Sequence, residues 1–156
     1  MNLRLDKYLI LLAATFSFTF LACGDCSDMD MRATAPISFS IVDEDGNDLI
    51  GSTQARYSID SIRLFDNDGK NRVVVTNVYF PGLNSYVFYA DCDKNDQGKS
   101  SLKLQFNSRD SDTLDVWYER EKSECANIYK YTQFQHNGEA VQKSPVTSAL
   151  LIVKPK

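Results

Sequence analysis

The 156 residues include one histidine, one tryptophan, four cysteines and 21 Asp and Glu, and these are the side chains with chemistry to offer. His136 stands directly before Asn137-Gly138, a dipeptide that favours a tight hairpin, so it reads as a surface residue rather than a general base. No Gly-x-Ser-x-Gly elbow, His-Glu-x-x-His pair or phosphate-cradling glycine loop is present. Carboxylates are plentiful, but an acid/base pair needs burial to drive its pKa values apart. Nearly every Asp here neighbours Gly, Asn or Ser, as turn residues do. The expectation is a protein that is not an enzyme.

Two acidic turns could hold a hard cation. Asp43-Glu44-Asp45-Gly46-Asn47-Asp48 and Asp66-Asn67-Asp68-Gly69-Lys70-Asn71 surround a glycine with oxygens, and Asp91, Asp93 and Asp96 form a third cluster. Calcium requires several oxygens from a tight loop, and glycine permits the turn. Neither loop has the spacing of an EF-hand, and Asp-Gly between strands needs no metal to turn. No cofactor is therefore expected; if Ca²⁺ is held, Asp43, Asp45 and Asp48 are the first choice of ligands. The aromatic side chains offer a different chemistry, because exposed rings stack on sugars or anchor a protein partner. Tyr79, Tyr86, Tyr89, Tyr118, Tyr129 and Tyr131 chiefly suit a core. Trp117 follows Val116, whose phase points inward, so it is placed on the opposite face and is the candidate ligand-stacking residue.

The elements that must position these residues are strands. Ile37, Phe39 and Ile41 alternate with smaller residues, and Leu102, Leu104 and Phe106 alternate with Lys103 and Gln105. Leu114 and Val116 repeat the pattern. Tyr57 to Leu64 changes phase at Asp60-Ser61, which predicts a bend. Arg72 to Phe80 is apolar on both faces and reads as a central strand; Tyr86–Tyr89, Ile128–Phe134 and Val146–Val153 complete seven or eight strands. Asp45-Gly46, Asp68-Gly69, Pro81-Gly82, Gln97-Gly98 and Asn137-Gly138 mark turns. Beyond the N-terminal segment no stripe with a helical period occurs. The fold class is all-β: a single antiparallel β-sandwich, immunoglobulin-like in the loose sense, with a small β-barrel as the alternative. A net charge of −4 with no basic stripe excludes a nucleic-acid binder.

The N-terminus gives an address. Arg4 and Lys7 precede Tyr8–Ala22, an uncharged run shorter than the roughly 20 residues of a membrane span but suited to a secretory signal. It closes on Phe20-Leu21-Ala22-Cys23, which resembles the lipobox of bacterial lipoproteins. That resemblance implies lipidation of Cys23 after cleavage of residues 1–22. Cleavage removes Arg4, Lys7 and Asp6, so the charge of −4 becomes −5. Residues 23–35 read as the lipidated Cys and an acidic tether, and residues 36–156 as the β-sandwich domain. An acidic stretch after the lipidated cysteine resembles the export signal of Bacteroidota surface lipoproteins. The expected location is the outer membrane, facing the periplasm or the cell surface.

Cys26, Cys92 and Cys125 then remain, and an exported protein is expected to form one bridge from them. Loop-closure entropy does not choose the pair. Cys23, Cys26, Ala35-Pro36 before an apolar strand, and Asp112-Thr113-Leu114-Asp115-Val116-Trp117-Tyr118 ahead of Cys125 together resemble a family of small uncharacterised Bacteroidota lipoproteins. The resemblance implies a Cys26–Cys125 disulfide, with Cys92–Cys125 as the alternative, and implies no activity. The functional expectation is a lipid-anchored extracytoplasmic envelope protein, a non-catalytic structural or binding module. Its partners are the membrane, through the lipid, and a glycan or envelope protein. The alternatives are a glycan-binding accessory lipoprotein and an adhesin or assembly subunit that uses an exposed edge strand.

Overall fold

Alternating apolar side chains with a period of two leave each sheet one face to bury, and here sheet stacks on sheet. The computed structural model describes residues 34–51, 55–66, 68–122 and 127–155. The strands are β1 (Ile37–Val42), β2 (Arg63–Phe65), β3 (Arg72–Val73), β4 (Val75–Phe80), β5 (Ser85–Ala90), β6 (Lys99–Gln105), β7 (Ser111–Lys122), β8 (Asn127–His136), β9 (Glu139–Ala140) and β10 (Leu150–Val153). One sheet has the order β10-β1-β5-β4 and the other β3-β2-β6-β7-β8-β9. The two are not closed into a barrel, so the sandwich expectation holds and the barrel alternative does not.

The core lies between the sheets. Ile37, Phe39, Ile41, Phe88, Leu150 and Ile152 come from the four-stranded sheet; Leu64, Leu102, Leu104, Leu114, Val116 and Tyr118 come from the six-stranded one. Phe39 and Phe88, opposite each other on β1 and β5, stack with ring centroids 5.3 Å apart. Asn137 and Gly138 take φ values of 51° and 86° between β8 and β9. This is the left-handed pair that a two-residue hairpin needs and that Asn-Gly supplies with least strain.

Three expectations are corrected. Arg72–Phe80 is not one central strand: β3 joins the six-stranded sheet, the chain crosses at Val74, and β4 becomes an edge of the other sheet. Val73, Val74 and Val75 straddle this crossing: Val73 and Val75 pack against the core, and Val74 is exposed. The C-terminal strand begins at Leu150, because Ser144–Ser148 forms a turn that ends with Ser148 at φ 59°. The sandwich is not wholly antiparallel, since β10 lies parallel to β1 with Phe39 opposite Leu150 and Val42 opposite Val153. The bend at Asp60-Ser61 is present as a 3-10 turn, Ile59–Ser61.

Leu104 is fully buried on the inward face of β6. Leu104→Ala is expected to lower the unfolding free energy by about 2–5 kcal/mol, because the cavity only partly collapses. Urea unfolding checks this: the midpoint falls with an unchanged slope, and an unmoved midpoint refutes the assignment.

Candidate functional site

Strand ends and the loops beside them bring the ionisable groups together. Asp112 shares the inward phase of Leu114 and Val116 on β7; Lys154 follows Leu150 and Ile152 with the same phase, one residue past β10. His136 ends β8 directly opposite Leu114. Parallel pairing of β10 with β1 carries Lys154 to the end of the sandwich where β7 starts, and its backbone N–H donates to Val42 O at 2.8 Å. There the Lys154 ammonium donates to Asp110 Oδ1 and Asp112 Oδ2, each at 2.8 Å, and lies 4.3 Å from the centroid of the Phe106 ring. His136 Nε2 is 2.8 Å from Asp112 Oδ2, and the Tyr57 hydroxyl donates to Asp110 Oδ2 at 2.6 Å.

Burial raises the proton affinity of both carboxyls. Hydrogen bonds from Lys154 and Tyr57 to Asp110, and from Lys154, Asn137 and His136 to Asp112, outweigh it and hold both below the usual carboxylate range. Burial and the bond to Asp110 push the Tyr57 phenol in the opposite direction, well above its ordinary value. The cluster therefore holds two carboxylates and a neutral phenol at neutral pH.

An open cleft of about 520 Å³ lies beside this cluster, lined by Arg56, Tyr57, Asn107, Arg109, Asp110, Lys154 and Pro155. Its size falls within the range of small-molecule sites. The β6–β7 hairpin supplies one wall. Asn107 Oδ1 accepts the backbone N–H groups of Arg109 and Asp110 and so fixes that tip. On the other wall Arg56 donates to Pro155 O at 2.6 Å and stands 5.5 Å from the centroid of the Tyr57 ring.

The residues singled out from sequence do not assemble here, His136 excepted. It is half-buried with Nε2 against Asp112 Oδ2, rather than a surface residue at the hairpin tip, which Asn137-Gly138 forms alone. Asp43 and Asp45 flank the tip of their own turn. Asp43 Oδ1 accepts the N–H groups of Asp45 and Asn47, and its carboxylate also binds the Asn47 side chain. Asp48 points elsewhere: Oδ1 accepts from Ile50 and Gly51, and Oδ2 from Ser85 Oγ and Tyr86 N. Among the described residues no group of three or more His, Cys, Asp or Glu is gathered as a metal set. Trp117 lies half-buried on the face opposite Val116, with the Lys99 ammonium 4.6 Å from its ring centroid. Cys92 is a buried free thiol against the Tyr131 hydroxyl. Cys23, Cys26 and Cys125 lie outside the described residues.

Sequence reasoning passed over Tyr57, Asp110, Asp112 and Lys154. The available signal was charge at the inward phase of a strand end, in Asp112 before Leu114 and Lys154 after Ile152. Among the described residues no helix is long and apolar enough to cross a membrane. No protein-family model, curated protein or solved structure matches the chain.

The cluster makes stability depend on pH. The folded-state pKa values of Asp110 and Asp112 are depressed, so their contribution is present above about pH 4 and is lost as pH falls through the folded values. Lys154→Met leaves both carboxylates without their ammonium and is expected to cost about 3–5 kcal/mol at pH 7. Part of that loss is recovered near pH 4, where the orphaned carboxyls take up protons. Urea midpoints measured for both proteins from neutral to acid pH check this, and parallel pH profiles refute it.

Proposed function

We propose that this chain is a lipid-anchored, extracytoplasmic envelope protein that serves as a non-catalytic binding module. Its ligand surface is the open cleft at the Asp110–Lys154 end of the sandwich. The lipobox-like Phe20-Leu21-Ala22-Cys23 and the acidic segment after it support the anchoring. The observation that carries the binding role is the division of labour around the cleft. The ionisable groups beneath it are bonded to one another, while Arg56 and Arg109 stand exposed on its walls.

Catalysis would ask something different of the same groups. A general base must keep a nitrogen or oxygen within hydrogen-bond reach of the proton it takes. His136 Nε2 is engaged by Asp112, and no serine, threonine or cysteine among the described residues is hydrogen-bonded to its ring. Lys154 is shared between two carboxylates.

A second reading, an adhesin or assembly subunit, is favoured by β4. This six-residue edge strand carries no charge, and it exposes Val78 and Tyr79. Edge strands usually carry a charge, a proline or a bulge that discourages pairing, and an added strand extends a sheet that lacks them.

Labelling and fractionation test the anchored reading. When the full chain is produced in a bacterium with an outer membrane, it is expected to incorporate radiolabelled palmitate and to sediment with that membrane. Cys23→Ser is expected to abolish both. Equal labelling of the two proteins, or retention of the parent chain in the cytoplasm, overturns the proposal.

A further inference from the structure

We infer that the cleft recognises an oxyanion, the carboxylate or phosphate group of a small ligand; this rests on the binding-module reading above and supplies the chemistry of its ligand. The lining holds three cationic side chains, Arg56, Arg109 and Lys154, against one carboxylate, Asp110. Asp110 is already committed, with Oδ1 accepting from Lys154 and Oδ2 from Tyr57. Lys154 is itself divided between Asp110 and Asp112 and lies deep beneath the walls. The acid in the cleft therefore neutralises the buried lysine and not the arginines.

Neither arginine makes an ion pair among the described residues. Arg56 is held in place by Pro155 O through a single Nη1 donor, and a guanidinium has five N–H donors in all. Arg109 is carried on a hairpin tip that Asn107 Oδ1 pins through two backbone bonds. With its oxygen so used, the amide group of Asn107 still has N–H donors to offer. The walls thus present donors almost alone. Planar forks of N–H groups match carboxylate and phosphate oxygens two at a time, with a charge assistance that a neutral ligand lacks.

Two further features point away from sugar stacking as the source of affinity. The Tyr57 ring already contacts Arg56 and, at 5.1 Å between centroids, Phe106. Trp117 is not among the cleft residues. In a chain of net charge −4, an arginine-walled recess concentrates anions where the rest of the surface repels them.

Calorimetric titration of the full chain in detergent micelles at low salt tests the inference, with glucuronate, inorganic phosphate and neutral glucose as probes. Glucuronate or phosphate is expected to bind at millimolar concentration and glucose to bind far more weakly. Arg56→Gln combined with Arg109→Gln is expected to weaken oxyanion binding by about tenfold or more. Both side chains are exposed, so the unfolding midpoint of the double variant stays near that of the parent. Binding of glucuronate alone assigns the site to a sugar acid, and equal binding of phosphate assigns it to either oxyanion. Glucose binding as tight as glucuronate binding, unaffected by the double variant, overturns the oxyanion inference and leaves the binding-module reading standing. Binding of none of the three overturns the inference and removes the cleft as the ligand surface.

Discussion

The Lys154 ammonium, nearly withdrawn from water between Asp110 and Asp112, is the contact on which the end of this sandwich depends. It ties the last residues of the four-stranded sheet to the start of β7 in the other sheet. Buried ion pairs contribute little net stability once desolvation is counted, yet removal of one member leaves a charge with nowhere to go. The energetic asymmetry makes the contact a device of specificity. A chain that docked β10 in another register would bury Lys154 without its carboxylates, or the carboxylates without Lys154. Tyr57 and His136 complete the shell, through Asp110 and Asp112 respectively.

The same contact determines what the cleft can be. Because the acids are drawn downward onto Lys154, the walls are left to arginine, and an acidic protein acquires a cationic recess. Side chains at the floor are fixed by mutual bonds; at the walls Asn107 pins the backbone of the hairpin tip and Pro155 O holds the Arg56 guanidinium. Such fixing lowers the ordering that a ligand would otherwise have to impose.

How legible this was from sequence depended on the range of the information. Period-two alternation in Ile37–Ile41, Leu102–Phe106 and Leu114–Val116 located the core strands, because each strand writes its buried face locally. Asn137-Gly138 located a hairpin by backbone preference alone. Arg72–Phe80 misled, because a segment that leaves one sheet for the other has apolar residues in both phases, as a doubly covered strand does. The parallel partner of β1 could not be read, since β10 lies more than a hundred residues away and no local pattern encodes that pairing. The site was missed for a related reason. Asp112 and Lys154 each look like solvated charges beside a strand end, and only the pairing of the strands shows that both ends meet. In the acidic turn that looked more like a site, Asp43 accepts N–H groups of its own turn, and Asp48 accepts from Ile50 and Gly51 and from Ser85 and Tyr86 of β5.

The parallel pair of β1 and β10 also has a mechanical meaning. The described chain enters at the start of β1 and leaves from the end of β10, at opposite ends of the same ladder. Traction between the two termini slides one strand along the other, so the hydrogen bonds from Phe39 to Val153 are loaded together. A hairpin pulled from its open end would yield its bonds one at a time. Lys154, gripping the six-stranded sheet just beyond β10, adds a latch where such a slide would begin. A domain held by one end and hauled by the other is, in this geometry, gripped in shear rather than unzipped.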